Sequence, residues 1–138
     1  MKIYFCGSIR GGREDAELYA HMIGELKEYG NVLTEHIGND AVLKPEFEGS
    51  DQNIWQQDTA WLRESDIVIA ECTRPSLGVG YELAYAENLR KPVHVLYRKP
   101  LETLSAMISG DSFFIIHIYK KASELPDIFK SIFSKAKT

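Results

Sequence analysis

Residues 66–82 read DIVIAECTRPSLGVGYE, and this stretch decides the fold. The apolar run at 66–71 is typical of a buried strand, and residues 80–90 have the composition of a helix. The segment 74–82 (RPSLGVGYE) therefore leads from the carboxyl end of a strand into a helix. Ligands bind at that end of the strands in open α/β sheets. The stretch thus predicts both an α/β fold and the edge of the sheet where a ligand would lie.

The chemistry of this turn favours an anionic ligand. Gly78 and Gly80 let the backbone approach a ligand closely. Ser76 and the free N–H groups at the helix start suit an anion such as phosphate. Glu82 is expected in the first helical turn, where the helix dipole would hold it ionised. An ionised carboxylate beside an anion pocket is a candidate nucleophile.

Strand and helix patterns alternate along the rest of the chain, which predicts one doubly wound α/β domain over residues 1–138. Residues 37–50 show no period and are expected to form a mobile loop over the ligand edge. We predict five mostly parallel strands in the order 2-1-3-4-5, with helices on both faces. The predicted strands are 2–7, 31–36, 66–71, 92–97 and 113–119; the predicted helices are about 13–29, 51–64, 80–90, 102–108 and 122–135.

This strand order brings two turns together. Residues 8–12 follow strand one, residues 74–80 follow strand three, and both should face one crevice at the switch point. Arg10 lies in the first turn, at a position that favours phosphate over a purely solvated role. The turn matches neither a P-loop nor a GxGxxG fingerprint. His36 ends strand two at the same edge, where contact with a base and a structural role are equally compatible with the sequence.

Composition narrows the possible partners. The chain has 138 residues and a net charge of −4 with no basic stripe, so duplex nucleic acid is not expected to bind. No apolar run is long enough to span a membrane and no signal peptide is recognisable, which predicts a cytoplasmic protein, or a nuclear one in a eukaryote. Cys6 and Cys72 are expected to be free core thiols, and no cluster indicates a metal or cofactor.

A second carboxylate accompanies Glu82. Asp58 lies three or four residues from apolar side chains on the helix predicted at 51–64, where a carboxylate is costly unless it is paired or functional. A salt bridge or a cap to a nearby loop is the alternative. One ionised and one desolvated carboxylate at a crevice fit the nucleophile and acid of glycosidic cleavage. Tyr4, on strand one, would by default be a core aromatic residue, and His94 and His117 would be structural.

Five motifs resemble those of a known enzyme group. YFCGSIRGGRED at 4–15, LTEH at 33–36, QD with WL at 57–62, PSLGVGYEL at 75–83 and LSAMI at 104–108 are similar to the 2'-deoxynucleoside 5'-monophosphate N-hydrolases. That group belongs to the nucleoside 2-deoxyribosyltransferase superfamily. The resemblance covers about residues 2–119, whereas residues 37–50 and 98–102 differ from the group's pattern.

The resemblance implies a role for each matching residue. Glu82 matches the nucleophile that attacks C1' of the sugar, and Asp58 matches the carboxylate that orients the substrate and assists departure of the base. Tyr4 matches the tyrosine that places its hydroxyl near the nucleophile and the sugar. Ser105 matches a serine contributed by the partner subunit of a homodimer with shared active sites. The residues matching the phosphate and sugar site are Gly7, Ser8, Ile9, Arg10, Gly12, Ser76 and Gly78.

The implied reaction is hydrolysis of the N-glycosidic bond of a deoxynucleoside 5'-monophosphate through a covalent intermediate on Glu82, without metal or cofactor. A deoxyribosyltransferase would pass the same intermediate to a second base, but Ser8, Arg10 and the remaining phosphate-site residues argue against it. A ribonucleotide N-hydrolase of the CMP type and a non-catalytic nucleotide-binding module are further alternatives.

Overall fold

A computed structural model of the chain describes residues 1–8, 15–35, 50–99 and 104–136. Its core is a parallel sheet of five strands in the order β2-β1-β3-β4-β5. The predicted doubly wound α/β class and strand order are confirmed. The strands are β1 Lys2–Cys6, β2 Asn31–Val32, β3 Ile67–Glu71, β4 Val93–Arg98 and β5 Ile115–Tyr119.

Helices cover both faces of this sheet. They are α1 Ala16–Leu26, α2 Asp51–Glu64, α3 Leu77–Asn88, α4 Ala106–Ser109 and α5 Leu125–Ala136, with a short 3₁₀ turn at Ala122–Glu124 before the last. Side chains alternate between the faces along a strand. Accordingly, Ile3 and Phe5 pack in one core with α1 and α5, whereas Tyr4 and Cys6 lie in the core that contains side chains of α2 and α3.

Strand β2 is shorter than predicted because a side chain, instead of the backbone of β2, pairs with the backbone of β1 at Phe5. The Thr34 hydroxyl accepts a hydrogen bond from the Phe5 N–H at 2.9 Å and donates one to the Phe5 carbonyl oxygen at 2.6 Å. Those two groups would otherwise pair with the next residues of a longer β2. The predicted end of this strand, His36, lies outside the described residues, as do 37–49 of the predicted loop.

Helix α3 begins three residues earlier than predicted. The Ser76 hydroxyl accepts a hydrogen bond from the Val79 N–H at 3.2 Å and caps the helix. Gly78 and Gly80 therefore belong to its first turn, and Glu82 lies in the second. Ser105 caps α4 in the same way, so that Leu104 and Ser105 precede the helix instead of belonging to it.

Within the four described ranges, no helix is both long and apolar enough to cross a membrane.

Candidate active site

Glu82 lies near two side chains of β1. Tyr4 and Cys6 are neighbours on one face of this strand and are almost completely buried. Glu82 is close enough for its charge to raise the pKa of both the Tyr4 hydroxyl and the Cys6 thiol. Helix α3 thus directs Glu82 onto strand β1, near its carboxyl end.

Burial dominates the electrostatics of Glu82. Desolvation raises its pKa to about 7; the nearby Tyr4 hydroxyl opposes this rise, the charge of Asp58 adds to it, and the nearby Cys6 thiol opposes it. The expectation that the helix dipole holds Glu82 ionised is wrong. The dipole acts mainly within the first turn, and Glu82 lies one turn further along.

Asp58 is the second carboxyl group of this site. It lies on α2, half buried, and desolvation raises its pKa to about 6. The negative charge of Asp58 adds to the rise in the pKa of Glu82, so the two carboxyl groups titrate as a coupled pair. The structure therefore brings together Glu82, Asp58 and Tyr4, the three residues predicted to be catalytic.

The Tyr4 hydroxyl lies beside these carboxyl groups in its protonated form. Burial, followed by the charge of Glu82, raises the pKa of the hydroxyl far above the usual range. Tyr4 is also a core residue, which is the default interpretation of a tyrosine on a strand.

The turn after β1 presents a buried serine. A side chain at Gly7 would place its Cβ 2.9 Å from the Tyr19 ring. The backbone can therefore run this close to the ring only with glycine at this position. The Ser8 N–H donates to the Tyr19 hydroxyl at 3.2 Å. The buried Oγ of Ser8 has no hydrogen-bond partner among the described residues. Ile9, Arg10, Gly12 and His36, predicted for the same site, lie outside those residues.

The turn after β3 lines a cavity of about 820 Å³. Ser76 and Ser105 of the same chain both line it, together with Thr73 and Arg74. The hydroxyls of Ser76 and Ser105 are helix caps, a role that the sequence interpretation missed although both precede a helical pattern. Gly78 lies beside Ser76, where a Cβ would come 3.8 Å from its Oγ. Glu82, Asp58 and Tyr4 are not among the residues lining this cavity.

A polar network at the sheet edge was also missed. Glu71, completely buried at the end of β3, accepts hydrogen bonds from the Thr73 N–H at 2.7 Å and from the Tyr119 hydroxyl. Arg98 donates to both carboxylate oxygens of Asp15 at 3.1 Å, across 83 residues of sequence. Polar residues that directly follow apolar strand runs were the available signal. The network ties the ends of three strands to the start of α1.

Two aromatic side chains connect α2 with α3 beside the carboxyl groups. The Trp55 Nε1–H donates to the Tyr81 hydroxyl at 3.0 Å, and both side chains are about half exposed. Trp55 lies about one turn before Asp58, and Tyr81 directly precedes Glu82. Trp55 is thus an apolar residue of α2 that stays about half exposed.

The histidines lie elsewhere in the sheet. His94 Nδ1 and His117 Nε2 are 2.9 Å apart on neighbouring strands, and their rings stack. No group of three or more His, Cys, Asp or Glu side chains able to hold a metal ion occurs in the described part of the chain.

Solved structures identify the class of protein that this fold defines. The CMP N-glycosidase of Clostridium botulinum has a TM-score of 0.65 at 15% identity, covering 94% of this chain and 99% of that one. A 2-deoxyribosyltransferase of Bacillus psychrosaccharolyticus has a TM-score of 0.65 at 19% identity, covering 91% and 90%. At these identities the likeness establishes the fold alone, a doubly wound fold like that of the deoxyribosyltransferases.

The chain belongs to the nucleoside 2-deoxyribosyltransferase family, whose model matches residues 3–115. The 5-hydroxymethyl-dUMP N-hydrolase of Mus musculus is 55% identical over 112 residues, which span 78% of this chain and 64% of the mouse protein. The protein of that name from Tetraodon nigroviridis is 45% identical over 144 residues, covering 99% and 100%. The resemblance to the N-hydrolase group is confirmed.

Proposed function

We propose that this chain is an enzyme that hydrolyses the N-glycosidic bond of 2'-deoxynucleoside 5'-monophosphates, releasing the base and 2-deoxyribose 5-phosphate. Relatives at 45–55% identity are 5-hydroxymethyl-dUMP N-hydrolases, which supports this reaction class. The observation that carries the proposal is the position of buried Glu82 near Tyr4 and within range of the charge of Asp58. This grouping places a nucleophile, a donor and a second carboxyl group at one point.

Glu82 is the nucleophile in this mechanism. Its carboxylate attacks C1', a C–O ester bond forms, and the C1'–N bond breaks with its electron pair leaving on the base. Asp58 in its protonated form gives the base a proton. Water then attacks C1' and loses a proton to Asp58, the ester bond breaks, and the Glu82 carboxylate is restored. The Tyr4 hydroxyl donates to the carboxylate throughout and orients it toward the sugar.

The 5'-phosphate supplies binding energy away from the reacting bond, which holds C1' over Glu82. The buried Oγ of Ser8, which has no hydrogen-bond partner within the described part of the chain, supports an anion at the turn after β1. Ser76 and Gly78 at the start of α3 complete this phosphate site, with Ile9, Arg10 and Gly12 of the first turn. No metal or cofactor takes part in these steps.

A homodimer with shared active sites fits the same surface. Leu77 is 98% exposed and Met107 83% exposed, and both line the cavity that contains Ser76 and Ser105. Exposed apolar side chains grouped in this way are typical of interaction sites. In the proposed dimer, Ser105 reaches the phosphate held by the neighbouring chain.

A second candidate is transfer of the deoxyribosyl group to another base, which uses the same intermediate. The family includes transferases by name, and the carboxyl pair alone serves either reaction. The buried hydroxyl of Ser8 favours the hydrolase, since it provides for a charged 5' group.

One assay tests these alternatives. The protein is incubated with deoxynucleotides, ribonucleotides and deoxynucleosides, with and without an acceptor base, and products are separated by chromatography. We expect free base and 2-deoxyribose 5-phosphate from deoxynucleotides, and no change with acceptor. Acid quenching followed by mass spectrometry should find the sugar phosphate attached to Glu82, and Glu82→Gln should abolish base release. New nucleosides that form only when the acceptor base is present would establish the transferase reaction. No cleavage of any substrate would favour a non-catalytic nucleotide-binding module.

A further inference from the structure

Glu71 is a buried carboxyl group for which the mechanism above has no role. It is the last residue of β3 and has no exposed surface. Its Oε1 accepts a hydrogen bond from the Thr73 backbone N–H at 2.7 Å, and its Oε2 accepts one from the Tyr119 hydroxyl. Glu71 is not among the residues that line the cavity beside it. Any effect it has on a ligand there must pass through its neighbours.

Packing alone does not explain a carboxyl group at this position. The preceding residues of β3, 67–70, are all apolar. Taking a carboxylate out of water is costly, and apolar side chains of similar volume are often at least as stabilising. Burial accordingly raises the pKa of Glu71. Hydrogen bonds from Thr73 and Tyr119, and the charge of Arg98, oppose that rise. The carboxyl group is therefore used for its two acceptor oxygens.

Thr73 is attached to the sheet at two points. Its backbone N–H is held by Glu71, and its own hydroxyl oxygen accepts a hydrogen bond from the Arg98 N–H at 2.8 Å. Arg98 ends β4, and Tyr119, which donates to the other oxygen of Glu71, ends β5. Thr73 is itself 2% exposed. The turn after β3 thus starts from a residue that is fixed to both neighbouring strands.

This fixed residue lies three positions before Ser76. The ring of Pro75 restricts the backbone between them. Ser76 is extended, with φ −152° and ψ 123°, and helix α3 follows at once. Both Thr73 and Ser76 line the cavity. The position of Thr73 therefore determines where the Ser76 hydroxyl points, and a misplacement of about 1 Å in a group that holds a substrate can cost a large part of its effect.

We propose that Glu71 is a positioning residue for the phosphate site: by holding Thr73, its carboxyl group fixes the turn that presents Ser76 to the 5'-phosphate. This inference rests on the proposed function, because the phosphate is the ligand of that turn. It gives a group that touches no substrate a part in selecting the substrate.

The ratio of kcat/KM for dUMP to kcat/KM for deoxyuridine tests this role, because the ratio does not depend on how much of the enzyme is folded. Glu71→Leu removes both acceptors at similar volume and should lower the ratio about threefold to thirtyfold. Glu71→Gln keeps an acceptor for the Thr73 N–H and places an amide against the Tyr119 oxygen, so it should keep the ratio near the wild-type value. A role in stability alone would leave the ratio unchanged in both variants.

Thr73→Val and Ser65→Ala form a matched pair. Thr73→Val removes the acceptor of the Arg98 N–H and should lower the ratio about twofold to tenfold, whereas Thr73→Ser should preserve it. Ser65 is also completely buried and lies at the opposite end of β3, where its hydroxyl donates to the Leu62 carbonyl oxygen at 2.8 Å. Ser65→Ala should leave the ratio unchanged. If Glu71→Leu does not fold, the Thr73 variants decide the question.

Binding without turnover separates this inference from the proposed reaction. In a Glu82→Gln background, calorimetric titration with dUMP should give a Kd that rises about threefold to thirtyfold when Glu71→Leu is added, but not when Glu71→Gln is added. An unchanged ratio and an unchanged Kd in folded Glu71→Leu and Thr73→Val variants would overturn the role of Glu71. If the wild-type protein releases no base from any nucleotide, the proposed function fails instead, and the Kd alone decides on Glu71.

Discussion

Asp58 on α2 lies close enough to Glu82 on α3 for its negative charge to raise the pKa of Glu82. Both groups are also desolvated, and their pKa values of about 6 and about 7 lie near physiological pH. Such values at a crevice are typical of catalytic groups, because each can change protonation during a reaction cycle. The predictions below follow from this pair and from the turns beside it.

The pH profile of kcat/KM should be bell-shaped, with its maximum between pH 6 and 7. The acidic limb follows ionisation of Glu82 and the alkaline limb follows loss of the Asp58 proton, and the two apparent values belong to the pair. In Asp58→Asn the alkaline limb should disappear. The acidic limb should remain, because Glu82 still ionises in this variant. A flat profile from pH 5 to 9 would contradict this assignment.

Glu82→Gln should stabilise the protein at neutral pH. The folded protein holds the Glu82 proton up to about pH 7, whereas the unfolded chain loses it near its ordinary value of 4.5, so stability falls as the pH rises between these values. Removing the charge should raise the free energy of unfolding by up to about 3 kcal/mol at pH 8. Denaturant unfolding at pH 4.5 and pH 8 measures the difference, which should be near zero at the lower pH. An equal effect at both would show that Glu82 is not desolvated.

Ser76→Ala should separate helix capping from phosphate binding. The Ser76 hydroxyl accepts from the Val79 N–H and keeps its own proton for an anion. Ser50 caps α2 in the same manner, with the Asn53 N–H at 3.1 Å, and serves as the matched control. Both alanine variants should lose about 1 kcal/mol of stability. Only Ser76→Ala should lower kcat/KM for the monophosphate, by about tenfold, with little effect on the deoxynucleoside.

Removing the 5'-phosphate from the substrate should lower kcat/KM far more than removing any one of its contacts. Each hydrogen bond to a charged group contributes roughly 1.5–3 kcal/mol, so a deoxynucleoside should be cleaved at least about a hundredfold less efficiently than its monophosphate. Arg10→Ala should reduce this difference in efficiency, because it lowers kcat/KM for the monophosphate. Steady-state kinetics on a deoxynucleoside and its monophosphate measure the difference. Equal cleavage of the deoxynucleoside and its monophosphate would contradict the proposed phosphate site and would favour the transferase reaction.

Mixed dimers should test the shared site. Glu82→Ala chains are inactive and Ser105→Ala chains are impaired. In a mixed dimer, however, one site combines an intact Glu82 with an intact Ser105 of the neighbour. Activity in the mixture should therefore exceed the sum of the separate variants. Strict additivity over a range of mixing ratios would show that each chain carries a complete site.

The sheet order and the bounds of α2 were predictable because they depend on strong patterns: apolar runs, helical spacing and the handedness of crossovers. The start of α3 was not. Gly78 and Gly80 indicate a turn by composition, and only the cap from Ser76 shows that the backbone is already helical there. That three-residue difference moved Glu82 out of the range of the helix dipole.

The members of the site were more predictable than their electrostatics. Glu82, Asp58 and Tyr4 could be found from position and resemblance. The raised pKa of Glu82 could not, because desolvation depends on how α2, α3 and β1 close around the carboxyl group.

The network at the sheet edge escaped prediction for the same reason. Arg98 and Asp15 are ordinary surface residues by type, and their pairing exists only once β4 and α1 have been brought together. Pairs of side chains that are far apart in sequence produce no periodic pattern from which they could be predicted.

The pairing of β1 with β3 has a consequence for how the protein matures. β1 pairs with β3 in register from Ile3↔Ile67 to Cys6↔Ala70, so the strand that carries Tyr4 acquires this neighbour only after roughly half of the chain has been synthesised. Pairings of such separation close slowly, because loop entropy is lost before contacts form. The strand β1, which carries Tyr4, and the helix α3, which carries Glu82, come together only when β1 pairs with β3. A nascent chain that ends before α3 would therefore hold no assembled site, and recovery of base-releasing activity during refolding would report directly on the docking of β1 against β3.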